Sequence, residues 1–129
     1  MLDLTRFPVA TKWVIGFLTE QLALRPEPYA EAFVSNETDN PRSDRIVVVF
    51  QSGGPELTVA SRMARMVVNV YALTDSDADD LAELVQALLR ASVGVDQVRK
   101  VTVGGVSSLP DVEDHKRRYF PVEITLRSL

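Results

Sequence analysis

Few residues of this 129-residue chain have the types and spacing that chemistry needs, and each candidate fails a simple test. Its lone histidine, His115, closes the acidic run Asp111-Val112-Glu113-Asp114, which invites a hard-metal or acid–base reading. One histidine without a partner histidine or a ligand spacing does not make a metal site, and a solvated loop is the expected setting. Asp75, Asp77, Asp79 and Asp80 superficially resemble a calcium loop. They lack its glycine at position six and its glutamate at twelve, and they run directly into a helical pattern. Negative charge at a helix N-terminus accounts for them. Gly53-Gly54-Pro55 follows a strand-like run, as phosphate loops do, but no lysine and serine come after it and no helix opens there. A hairpin turn is expected instead, and Gly104-Gly105 fails the same test. The absence of cysteine excludes a disulfide framework, a thiolate-ligated zinc and a cysteine nucleophile. No catalytic constellation, cofactor motif or metal-ligand set emerges, so the expectation is a protein that is not an enzyme. What stays open is Lys116-Arg117-Arg118, a basic run suited to an acidic partner surface or a phosphate backbone, with a solvated strand entrance as the alternative.

Composition narrows the class further. Fourteen basic and 18 acidic residues give a net charge of −4, too acidic for a protein that coats nucleic acid without sequence preference. Length and an ordinary balance of 46% hydrophobic and 25% charged residues predict a single domain over residues 1–129. The opening stretch MLDLTRFPVATKWVIGFL does not read as a signal peptide, because Asp3, Arg6 and Lys12 interrupt it. No apolar run of about 18 residues suggests a membrane span, so a soluble, intracellular protein is expected. Charge is unevenly divided: residues 1–98 hold 8 basic and 14 acidic residues, and residues 99–129 hold 6 and 4. Such a polarity suits head-to-tail contact between identical subunits.

The elements that must position these residues follow from periodicity. A helix is predicted between Asp3 and Leu24, capped by Thr5 or Asp3, with Pro8 in its first turn. Val9, Trp13, Val14, Phe17, Leu18, Gln21 and Leu22 line its stripe, and Pro26 and Pro28 stop it. Tyr29–Ser35 reads as a short strand and Asn36–Asp44 as an exposed loop. Arg45–Gln51 is a β-branched central strand, Glu56–Ala64 a loop or poorly formed extension, and Arg65–Leu73 a further strand. Thr74, or Ser76, caps a second helix whose stripe is Ala78, Leu81, Ala82, Val85, Leu88 and Leu89, with Gly94 as its stop. Gln97–Val103 is a strand, Leu109–His115 a loop, and Arg118–Arg127 a strand with strict alternation, in which Pro121 favours an edge position or a strand end. The fold class is α+β, with two helices packed on one face of a mainly antiparallel sheet of four to five strands.

Taken in order, these pieces resemble the tail terminator (tail completion) proteins of long-tailed bacteriophages, in particular the small versions of actinobacterial phages. The resemblance covers nearly the full length. It rests on the N-terminal amphipathic helix with its exit Arg25-Pro26-Glu27-Pro28, and on the strand ending in Gly53-Gly54-Pro55. Val68-Asn69-Val70-Tyr71-Ala72 follows, then the acidic helix containing Asp80-Leu81-Ala82 and Val85-Gln86-Ala87-Leu88-Leu89. Leu109-Pro110-Asp111 and Arg118-Tyr119-Phe120-Pro121-Val122-Glu123-Ile124 close the pattern. At Tyr71-Ala72-Leu73 the chain departs from the family, which often has an apolar or aromatic residue and then a small one after that strand. The resemblance implies a structural virion protein without catalytic residues or cofactor. Such proteins form a ring, commonly a hexamer, on the end of the tail tube at the tail–neck junction, where they stop tube polymerisation and meet the neck connector. DNA would pass the lumen without specific binding. The expected subunit or partner contacts are Lys116, Arg117 and Arg118 against Asp75 and Asp77. Two rival classes remain: another neck or head-closure protein, and a small ferredoxin-like ligand-binding module with Tyr71, Asp111 and His115 lining a pocket.

Overall fold

A computed structural model of the chain describes residues 4–37, 43–58 and 60–129. Its first helix, α1 (Ala10–Ala23), begins later than the periodicity predicts. Val9 holds the N-cap position without a side-chain hydrogen bond, so Thr5 is no cap, and Asp3 lies outside the described residues. The buried line is Ala10, Val14, Leu18 and Leu22, narrower than the predicted stripe. Trp13 and Phe17 stack with ring centroids 5.0 Å apart at its half-buried flank, and Val9 is exposed. After the helix, Pro28–Ala30 makes a single 3-10 turn where a strand was expected, and strand β1 (Phe33–Ser35) is short. Of the predicted Asn36–Asp44 loop, residues 38–42 lie outside the described residues.

Strand β2 (Ile46–Gly53) is followed by β3 (Glu56–Thr58) and β4 (Ser61–Ala72). Thr58 pairs with Ser61, so the chain reverses there and not at Gly53-Gly54-Pro55. The glycines instead mark a slip in the β2–β4 register between Gln51 and Gly53. Gly54 has φ +135°, and a side chain there would collide with the Met63 carbonyl. Most of the predicted Glu56–Ala64 loop is therefore strand; Val59 lies outside the described residues.

Helix α2 (Asp75–Ala91) forms as the sequence predicts, with Thr74, not Ser76, as its cap. The Thr74 hydroxyl accepts from the Asp77 amide at 3.1 Å. Ala78, Leu81, Ala82, Val85, Gln86 and Leu89 are its buried residues, while Leu88 is only half-buried against the core. Gln86 is tolerated inside because its amide donates to the Gly104 carbonyl at 2.8 Å.

Three strands complete the fold: β5 (Val98–Val103), β6 (Ser107–Val112) and β7 (His115–Arg127). The predicted Leu109–His115 loop is thus largely strand, reversing at Glu113 and Asp114. The sheet runs β1-β2-β4-β7-β5, with β3 on β4 and β6 on β7, so seven strand segments among the described residues replace the expected four to five. All described pairings are antiparallel except β1 with β2.

Pro121 corrects another expectation, since β7 is an interior strand flanked by β4 and by β5 and β6. The Pro121 carbonyl accepts from the Gly104 amide, so the side where its N–H would lie faces the β5–β6 changeover. Residues 104–106 interrupt the ladder there, and no donor is missed.

Both helices share one face. Their buried residues form a single core with Val47 and Val49 of β2, Ala64, Met66, Val68 and Val70 of β4, and Phe120, Val122, Ile124 and Leu126 of β7. On the opposite face Ile46, Val48 and Tyr71 make a small second cluster under Val112. Among the described residues no helix is long and apolar enough to cross a membrane.

Candidate functional site

The charged residues of the sequence analysis converge where β7 begins and α2 opens. Period-two alternation divides the basic run: Lys116 and Arg118 are in phase with core-facing Phe120 and Val122, whereas His115 and Arg117 point to the other face. Arg118 meets the first turn of α2, donating from Nε to Asp79 at 2.7 Å and from a terminal nitrogen to Asp75 at 2.9 Å. A third donor reaches the Arg117 carbonyl at 3.0 Å. With its side chain only 10% exposed, this guanidinium is spoken for. The hydrogen bond to Asp75, then that to Asp79, holds it charged above its ordinary range. In return the Arg118 hydrogen bond lowers Asp75 below the usual carboxylate value.

The other charges are similarly matched. Arg45 binds Asp77 through two nitrogens, at 3.0 and 2.9 Å. Lys116 donates to Asp111 at 2.8 Å, a bond that raises the ammonium pKa. Lys116, Arg118, Asp75 and Asp77, expected as contacts between subunits, are each paired within the chain, and the Asp75 side chain stays 68% exposed. Arg45 escaped the sequence reading, which treated it only as the start of a strand. For Arg118 a signal existed, because its phase with Phe120, Val122, Ile124 and Leu126 already directs it toward the helix layer.

Arg117 is different. Its guanidinium lies over the Tyr71 ring, 5.4 Å from the centroid, and its buried Nε has no acceptor among the described residues. His115 is no solvated loop residue: it is 6% exposed, with Nε2 2.7 Å from the Ser43 carbonyl oxygen. A carbonyl only accepts, so Nε2 carries the proton, and Nδ1 is buried without a partner among the described residues. The imidazole ties two segments together.

Of the residues expected around a pocket, Tyr71 and His115 share one face of the sheet. Tyr71 packs with Ile46 and Val48, and Asp111 is exposed and bound to Lys116. Two grooves lie elsewhere. One, of about 470 Å³, runs between Leu22 and the Arg25–Ala32 stretch; another, of about 510 Å³, lies beside Trp13, Phe17 and Asp96. Among the described residues no group of three or more histidine, aspartate or glutamate side chains is placed to hold a metal. No protein-family model matches the chain, and a comparison with curated proteins gives no match.

Proposed function

We propose that the protein is a structural virion subunit that caps the end of a bacteriophage tail tube as a ring, a tail terminator. In this role it stops tube polymerisation and forms the joint to the neck connector, with DNA passing the lumen without specific binding. One observation carries the reading beyond the resemblance: the helices cover only one face of the sheet. Beside the buried cluster of Ile46, Val48 and Tyr71, the other face exposes large apolar side chains, with Phe33 47% and Phe50 46% accessible. A one-sided sheet with apolar residues on its open face is the profile of a subunit made to be covered by neighbours. The ion pairs gathered around Arg118, Arg45 and Lys116 lock β7, β2 and β6 to α2 or to one another, and so rigidify the body that presents that face.

The test uses polymerising tail-tube protein from the same phage. With the protein present, tubes measured by electron microscopy should stop at a limited length and carry a ring at one end. Tubes that grow on regardless, without a terminal ring, would overturn the reading.

A further inference from the structure

The strand register sorts the charges of the open face, and their sign is uneven. Residues across the β4–β7 and β5–β7 ladders place Arg65, Arg117, Arg127 and Lys100 there, with Glu123 as the acidic counterpart among these ladder positions. Glu123 is already engaged by Arg65 at 3.3 Å. Lys100, Arg117 and Arg127 form no ion pair among the described residues. Between these cations lie Phe50, Val67, Tyr119 and Pro121, one apolar strip across β2, β4 and β7.

The outer surface of the helix layer has the opposite character. The turns of α2 that bury Leu81, Ala82 and Val85 leave Asp80 and Glu83 exposed, and α1 exposes Glu20; Lys12 and Arg90 are the exposed cations of the two helices. None of the three carboxylates forms an ion pair among the described residues. The molecule thus has a basic, apolar sheet face on one side and, on the other, a helix face in which the free carboxylates Asp80, Glu83 and Glu20 outnumber Lys12 and Arg90.

We propose that the open sheet face binds the helix layer of a second copy of this chain, with Asp80 and Glu83 of one subunit meeting Lys100, Arg117 and Arg127 of the next. The two surfaces differ, so the contact is heterologous and propagates head to tail, into a ring where the rotation between successive subunits closes and into a filament where it does not. Burial of Phe50, Val67 and Pro121 supplies the apolar part of the contact. Arg117 gains a carboxylate that it lacks among the described residues of its own chain, unlike its neighbours Lys116 and Arg118. The inference rests on the ring reading only for closure; the contact itself follows from the complementary charge of the two faces.

Two variants test it. The first reverses the sheet face (Lys100→Glu, Arg117→Glu, Arg127→Glu), and the second reverses the helix face (Asp80→Lys, Glu83→Lys). Native mass spectrometry and sedimentation velocity at low salt should show self-association of the unaltered chain that weakens as salt rises. Each variant alone should associate at least tenfold more weakly, and an equimolar mixture should assemble again with the two alternating. A Lys100→Glu, Arg127→Glu variant leaves half-buried Arg117 in place and should shift in the same direction, with circular dichroism confirming the fold. Because the chain has no cysteine, a Glu83→Cys, Arg127→Cys protein treated with a bis-maleimide should give a covalent ladder beyond the dimer, while each single cysteine stops at the dimer.

Folded variants that associate like the unaltered chain, a mixture that does not recover, or no ladder would overturn the contact. So would loss of DNA-duplex binding in the first variant with self-association unchanged, which would assign the face to nucleic acid. The tube assay separates this inference from the terminator role. Restored assembly without length control leaves the contact standing and removes the role; length control unaffected by the first variant does the reverse.

Discussion

Replacing Gly104 with alanine tests how a proline is accommodated inside the sheet. A Cβ at residue 104 would stand 2.5 Å from Cγ and 2.8 Å from Cδ of Pro121, well inside contact distance. The pyrrolidine ring is closed onto its own backbone and cannot swing away as a long side chain would. Relief therefore requires moving the β5–β6 changeover, where the Gly104 amide donates to the Pro121 carbonyl at 2.9 Å and Gln86 donates to the Gly104 carbonyl at 2.8 Å. Overpacking of this kind costs about 1–3 kcal/mol. Each kcal/mol lowers the melting temperature by about 3–5 °C for a domain of this size. The control is the same substitution in a Pro121→Ala background, where the ring is gone and the cost of Gly104→Ala should fall below about 0.5 kcal/mol. Urea unfolding of the four proteins gives the coupling directly. A neutral Gly104→Ala, or an equal cost in both backgrounds, would refute the close-approach argument.

Two further outcomes follow from the buried histidine and from the carboxylates paired with arginine, Asp75 at the start of α2 and Glu27 beyond the end of α1. His115→Ala removes the donor to the Ser43 carbonyl and leaves a void in a buried position, so urea unfolding should show a loss of about 1–3 kcal/mol; a neutral result would return His115 to a solvated setting. Asp75 and Glu27 are lowered by their hydrogen bonds to Arg118 and Arg25, so the folded state holds them ionised more strongly than the unfolded chain does. Their contribution to stability is complete above the ordinary carboxylate value of about 4 and fades as pH falls through it toward the folded values. Denaturation between about pH 5 and pH 2 should show this decline, and Asp75→Asn with Glu27→Gln should flatten it; an unchanged slope would contradict the assignment.

Much of the fold was legible in the chain because it is written in local periodicity. The carboxylate-loaded start after Thr74 and the stripe through Leu81, Val85 and Leu89 specify α2 with no help from distant residues, since capping, dipole and amphipathic face all lie within one segment. Phe120, Val122, Ile124 and Leu126 likewise declare one core face of β7 by alternation alone. Strand β6 left no such trace: Ser107-Ser108-Leu109-Pro110-Asp111 has weak strand propensity and is mostly exposed, and it is extended because β7 offers it a ladder. Pro121 looked like an edge residue because sequence shows a missing donor but not the direction in which it is missing. That direction depends on where β5 hands over to β6.

The candidate site divides along the same line. Residue types named Lys116, Arg117, Arg118 and the aspartates of α2 as the charges of interest, and their opposite signs were visible at once. Which charges cancel was not, because Arg118 and Asp75 lie 43 residues apart and meet only when β7 takes its place beneath the start of α2. Sequence sets the chemistry and the phase of each side chain. Tertiary structure alone decides which carboxylates are consumed within the chain and leaves Arg117, Arg127 and Lys100 facing outward, because a charge is neutralised by whatever lies within a few ångströms and not by its neighbours along the chain.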